Sequence, residues 1–122
     1  MPSSSRQLKP RFRVVTDQAC ALGPGKADLL RLIAKTGSIS KAASQMNMSY
    51  MRAWTLVRTM NQCFSSDLIL SVRGGKDGGG ARLSPLGHKI LKLYTEMEEE
   101  SIKAAAPAWR QIRSFLSKGA KG

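Results

Sequence analysis

The chain has 122 residues, of which 42% are apolar, and its 20 Lys and Arg against 8 Asp and Glu give a net charge of +12. That length and apolar content specify one folded domain, and exclude both two independent cores and a disordered polar tail. No apolar run approaches the roughly 18 residues that span a bilayer, and residues 1–10 lack the apolar core of a secretory signal, so the cytoplasm is the expected location and no membrane the expected setting.

The charge is unevenly spread. Residues 1–95 hold 15 basic and 4 acidic side chains, whereas residues 96–122 hold 5 and 4. A partner that neutralises this excess would meet the first three quarters of the molecule, which suits a polyanion such as DNA. A basic surface with no partner is the competing reading. Cys20 and Cys63 lack the paired spacing of a zinc or redox site and read as buried reduced thiols. His88, the only histidine, has no nucleophile motif beside it, and Glu98, Glu99 and Glu100 read as a solvated helix face. No acid–base pair is identifiable, so no enzyme activity, metal or cofactor is expected.

In chain order, residues 1–10 are polar with two prolines and read as a flexible basic arm. Residues 11–16, R-F-R-V-V-T, alternate enough to predict a short strand. After Gly23, Pro24 and Gly25, the spacing of Lys26, Leu29, Leu30 and Ile33 predicts a first helix over about 25–36, closed by Gly37 as a left-handed cap. Ser38 caps a second, short helix through Met46, and Asn47 tolerates the left-handed turn that follows. Ser49 then caps a third helix running to about Phe64.

L-I-L-S-V-R at 68–73, the glycine-dense 74–80 and A-R-L-S at 81–84 read as strand, turn and strand. Three helices followed by such a hairpin is the order of a winged helix, so the expected fold class is mainly α with a small β-hairpin, the winged helix-turn-helix occupying 11–84. Ser84 and Pro85 open the last helix, expected over 85–118 with a frayed tail at 119–122. Its apolar positions Ile90, Leu93, Tyr94, Met97, Ala105, Trp109, Ile112 and Leu116 form a stripe longer than so small a domain covers. A second copy of the chain would bury it; folding back on its own domain is the alternative. Pro107 should kink or divide the helix.

At 100° per residue, Val57, Phe64, Met60 and Leu56 fall within about 60° of Ala53 and form the inward face of the third helix. Met51, Thr55, Arg58 and Gln62 fall at roughly 140–200°, with Arg52 on one flank and Tyr50, Trp54 and Asn61 on the other. The outer face offers the donors, acceptors and methyl-sized contacts that reading a major groove requires. Arg58 suits guanine or phosphate, and Thr55 and Gln62 suit either role. The hydroxyl and N–H groups at Ser49 suit a phosphate. Trp54 reads as a packed side chain, and Tyr50 is open to two roles, its ring packing on Trp54 and its hydroxyl reaching a phosphate. Lys41 of the second helix joins this DNA-facing set. The glycine loop fails as a Walker motif, because Lys76 precedes Asp77 rather than Ser or Thr, and it fails as a dinucleotide fingerprint, because A-R-L-S rather than a helix follows. It reads as a mobile hairpin tip that lays Arg73, Lys76 and Arg82 along DNA, or as a purely structural hairpin.

T-G-S-I-S-K-A-A at 36–43, S-Y-M-R-A-W at 49–54, M-N at 60–61, G-G-K-D-G-G-G at 74–80 and R-L-S-P-L-G at 82–87 occur in that order over roughly residues 25–95. Together they resemble the N-terminal DNA-binding domain of ModE-type molybdate-responsive regulators, whose helix-turn-helix is related to that of LysR-type regulators. The resemblance implies a winged helix, homodimeric through its terminal helices, on a palindromic operator. It places Ser38, Ser49, Tyr50, Arg52 and the residues around Lys76 against DNA. Members of that family continue into a molybdate-binding module of two small β-barrel repeats, which has no counterpart before Gly122. Oxyanion sensing within this polypeptide is therefore not expected; a separate oxyanion-sensing protein would supply the signal, or regulation would follow from the abundance of the protein itself. The expected function is that of a dimeric, sequence-specific transcription regulator contacting double-stranded DNA, with Ile90, Leu93, Tyr94, Met97, Trp109 and Ile112 at the dimer contact. Two rivals stand beside it: a nucleoid-type architectural protein with little sequence choice, and a protein-interaction module in which DNA has no part.

Overall fold

The computed structural model of the protein describes residues 6–17, 20–72 and 80–117. Arg73, Lys76 and the rest of the glycine loop before Gly80, the first five residues of the arm and the tail at 119–122 lie outside the described residues, as does the side chain of Cys20. The described residues are mainly helical, with two small antiparallel sheets. In chain order they form β1 (Val14–Val15), β2 (Cys20–Leu22), α1 (Pro24–Thr36), α2 (Ile39–Gln45), α3 (Tyr50–Cys63), β3 (Ile69–Val72), β4 (Gly80–Leu83) and α4 (Pro85–Ser114).

Each helix boundary has a local cause. Pro24 begins α1 where a missing N–H costs nothing, and Gly37, at φ +71°, ends it with its own N–H bonded to the Ile33 carbonyl at 2.8 Å. The Ser38 hydroxyl accepts from Lys41 N–H at 3.0 Å to cap α2, and that of Ser49 accepts from Arg52 N–H at 3.0 Å to cap α3. Between α2 and α3 the backbone turns through Asn47, the only non-glycine with positive φ among the described residues, at 56°. Asn is one of the few residues that enter this region cheaply.

The core is built from Leu29, Leu30 and Ile33 of α1, Ala42 and Ala43 of α2, Ala53, Val57 and Met60 of α3, and Leu68, Ile69, Ala81 and Leu83 of the second sheet. The buried positions of α3 are the inward face that the helical spacing predicts; Leu56 and Phe64 complete it as half-buried neighbours. Strands β3 and β4 pair Ile69 with Leu83 and Val72 with Gly80, which sends Ala81 and Leu83 inward and Arg82 outward. The β4 edge is tied to the end of α1 by Ala81 N–H donating to the Gly37 carbonyl at 3.0 Å.

Several expectations are corrected. The strand expected over 11–16 is only Val14–Val15, and its partner β2 was not foreseen. Of the arm expected at 1–10, Arg6, Leu8 and Pro10 are half-buried and Gln7 and Lys9 exposed, an alternation that continues through half-buried Phe12. Cys63 is a free thiol, half-buried rather than fully buried. Helix α4 is not divided at Pro107, which lies inside one continuous 30-residue helix ending at Ser114, short of residue 118. Tyr94 is removed from the expected surface stripe: it is 2% exposed, within the domain's own core, and its hydroxyl donates to the Phe12 carbonyl at 2.7 Å.

The root of α4 is fixed by a hub at Ser84. Its Oγ accepts from Gly87 N–H at 2.9 Å and donates to the Asp67 carbonyl at 2.7 Å, while its N–H donates to the Leu68 carbonyl at 2.8 Å. Arg31 of α1 adds a second tie, reaching Glu98 at 3.1 Å and Thr95 at 3.0 Å, although a pair this exposed contributes little. The close approach of α4 to the chain entering β3 leaves no room at Gly87, where an added Cβ would strike the Leu68 carbonyl oxygen and lie 3.1 Å from its carbon. Backbone on both sides cannot yield as a flexible side chain would. Gly87→Ala is therefore expected to destabilise the fold by about 1–3 kcal/mol and lower the thermal midpoint by roughly 4–15 °C. An unchanged melting curve would show that α4 does not sit this close.

Candidate nucleic-acid interface

Helix α3 presents its outer face to solvent because Ala53, Val57 and Met60 take the opposite face into the core. Met51 is 66% exposed, Tyr50 50% and Trp54 40%, and Arg52, Thr55, Arg58 and Gln62 are exposed beside them. Three apolar or aromatic side chains left in water on one helix face are informative, since such groups are normally buried. Along α2 and α3 the charge is one-signed, with Asp67 beyond them at the border of the face. Between Asp28 and Asp67 the sequence contains no carboxylate, but it contains Arg31, Lys35, Lys41, Arg52 and Arg58.

Local bonds set the state of each side chain. The Thr55 hydroxyl donates to the Met51 carbonyl at 2.9 Å, so it offers lone pairs outward before it offers a proton. Arg58 lies over the Trp54 ring, 5.5 Å from its centroid, an arrangement that steadies a long side chain through cation–π attraction. The expectation of a packed Trp54 is thus corrected: its ring is 40% exposed, with the Arg58 guanidinium over it. Ser38 and Ser49 each accept one capping hydrogen bond, which does not use the hydroxyl proton.

Two clefts border the face on opposite flanks. On the Trp54 side, a cleft of about 260 Å³ brings Trp54, Arg58 and Gln62 together with Ile39 of α2, Asp67, and Ile69 and Ser71 of β3. On the Arg52 side, a cleft of about 300 Å³ is lined by Arg52 and Leu56 of α3, Arg11, Arg13, and the first residues of α1, including Lys26. Of the sequence-predicted residues, Ser49, Tyr50, Arg52, Thr55 and Arg58 thus share one helix and its cap. Lys41 and Arg82 are exposed on α2 and β4, with no ion pair to either among the described residues.

Sequence reasoning missed two features. Arg11 and Arg13 were read only as part of a strand, although their alternation with half-buried Phe12 already placed both on an outward face. Asn61, placed on an outer flank, is turned to structural work. Its Oδ1 accepts from Leu68 N–H at 2.8 Å and Ile69 N–H at 3.1 Å, and its Nδ2 donates to the Ile69 carbonyl at 3.1 Å. One side chain thus stands in for a neighbouring strand and holds β3 against α3.

Among the described residues, no cluster of His, Cys, Asp and Glu could hold a metal, and no helix is long and apolar enough to cross a membrane. A surface of this composition can bind a polyanion and offer hydrogen bonds and methyl groups to it.

No family model matches the chain. It is similar to the molybdenum transport protein ModE of Azotobacter vinelandii, at 37% identity over 90 residues, which are 74% of this chain and 33% of that relative. It is similar to the molybdenum-pterin-binding protein MopB of Rhodobacter capsulatus, at 40% identity over 77 residues, 63% of this chain and 28% of the relative. A third similarity is to the DNA-binding transcriptional dual regulator ModE of Escherichia coli strain K12, at 38% identity over 81 residues, 66% of this chain and 31% of the relative. The chain spans about a third of the length of the curated relatives it matches.

Proposed function

We propose that the chain is the DNA-binding part of a transcription regulator of the ModE-like kind, a winged helix-turn-helix that works as a homodimer on palindromic operators. The outer face of α3 carries this reading: it is exposed, basic and free of carboxylates, and it stands second in a pair of capped helices joined by a left-handed turn. A helix with its side chains, about 10–12 Å across, matches the width of a major groove. In this reading Arg58, Thr55, Met51 and Gln62 meet base edges. Ser38, Lys41, Ser49, Tyr50 and Arg52 meet phosphates, and Arg73, Lys76 and Arg82 of the hairpin lie along the flanking backbone. The similarity to relatives named as DNA-binding regulators supports it.

The dimer has its own support. Leu93, Met97, Ile102, Ile112 and Leu116 are all more than a third exposed in the single chain. An apolar groove of about 160 Å³, lined by Val14, Leu22, Phe64, Ile90, Leu93, Tyr94 and Met97, runs beside the first half of α4. Such a surface favours burial against a second copy. Trp109 extends the same contact along the distal half of the helix. Two copies would then present two reading helices at half-sites one helical turn or more apart.

A duplex selected from genomic DNA, compared with a random duplex of equal length, tests the DNA reading. Arg58→Ala should weaken binding to the selected duplex by roughly 5–150-fold, with a much smaller effect on the random one. Equal binding of both duplexes by the unmodified chain at every salt concentration would favour the architectural rival. For the dimer, sedimentation equilibrium should give twice the chain mass, and Leu93→Glu with Ile112→Glu should return it to one. An unmodified chain that sediments as a monomer at micromolar concentration would overturn the dimer.

A further inference from the structure

We propose that the cleft formed by Arg11, Arg13, Lys26 and Arg52 is a second phosphate clamp, which grips the DNA backbone at one edge of the groove that α3 enters. It rests on the DNA-binding reading above and extends it to residues outside the two-helix motif.

The placement follows from the helix geometry. With Ala53 as zero, the groove-facing residues of α3 lie at roughly 140–200°, while Arg52 and Leu56 lie at roughly 260–300°. Arg52 and Leu56 are the two α3 residues that line this cleft. The cleft therefore opens beside the reading face, not behind it. A helix seated in a major groove fills its width, so side chains on its flank arrive where the phosphates run.

The chemistry matches that position. Four cations converge from three separate parts of the chain: the segment before β1, the first turn of α1, and α3. Arg11, Arg13 and Arg52 are exposed and Lys26 is half-buried, and among the described residues none of the four has an ion-pair partner. Like charges brought together with no carboxylate between them repel, and an anion seated among them removes that cost. The first turn of α1 has no acidic residue and no side-chain cap, so its end adds positive potential on the same side. A Cβ built at Gly25 would meet nothing within 4 Å, so the wall is open to an incoming group. Arg11 and Arg13 are held in place from beneath: Phe12 packs on the core, and its carbonyl accepts from the buried Tyr94 hydroxyl. The expected ligand chemistry is a backbone phosphodiester of double-stranded DNA, contacted without regard to sequence.

The test combines Arg11→Gln, Arg13→Gln and Lys26→Gln in the full chain, with thermal melting to confirm that it folds. A control variant, Lys89→Gln with Lys103→Gln and Arg110→Gln, removes the same charge from exposed positions on α4. Binding to the selected and random duplexes is followed by fluorescence anisotropy across potassium chloride concentrations. The cleft variant should lose about tenfold or more in affinity on both duplexes, and its salt slope should fall by about 2–3 per bound protomer. The control should keep the slope of the unmodified chain. If the cleft variant keeps that slope while Arg58→Ala still loses discrimination, the clamp is wrong and the reading helix stands. If cleft and control variants lose affinity alike, the effect is general charge and the clamp is again wrong. Failure of the unmodified chain to bind either duplex overturns the clamp together with the DNA-binding reading.

Discussion

Packing of three helices around one core, with alanine at four of its buried positions, fixes where everything else lies. Helix α2 has seven residues, too few to persist alone, and the only side chains it buries are Ala42 and Ala43. Ala27 of α1 and Ala53 of α3 are likewise fully buried. Alanine at these four buried positions takes up little of the core that Leu29, Leu30, Ile33, Val57 and Met60 fill, so nothing bulky there holds the helices apart. Bulk at any of these positions would push α3 outward and rotate its exposed face. The left-handed turn at Asn47 and the two serine caps then set the angle at which α3 leaves α2. Orientation of the polar face is thus a consequence of what the opposite side lacks.

A second layer of constraint joins this helical unit to the sheet and to α4. Asn61 replaces a strand neighbour for the chain entering β3, and Ser84 with Gly87 lets α4 start against that same chain. The Tyr94 hydroxyl then pins the segment carrying Arg11 and Arg13. One run of contacts therefore leads from the last helix, through the N-terminal segment, to the basic cleft beside α3. If α4 also holds a second copy, dimer formation would stabilise the same segment that lines the proposed clamp.

Much of this was legible in the residues because the signals are local. Ser38, Ser49 and Ser84 as caps, Gly37 and Asn47 as left-handed positions, and the three- and four-residue spacing of α1 and α3 all act within one or two turns. What escaped depends on partners distant in sequence. Strand β2 is three residues long and exists only through pairing with β1. Tyr94 fits the spacing of an outer stripe, and only its contact with Phe12, 82 residues away, makes it core. Asn61 looks like any polar flank residue until β3 lies beside it. Pro107 does not divide the helix, which runs through it without a break. The candidate face was visible in α3 alone, whereas the cleft needed three segments brought together by the fold.

The most direct measurement is amide-resolved NMR of the labelled chain during titration with a duplex selected from genomic DNA. The largest changes should fall on residues 49–62 of α3 and its cap, with a second group at Arg11, Arg13 and Lys26 and little change along the outer half of α4. Changes confined to α4, with α3 unaffected at saturating duplex, would contradict the assignment of α3 as the surface that meets DNA.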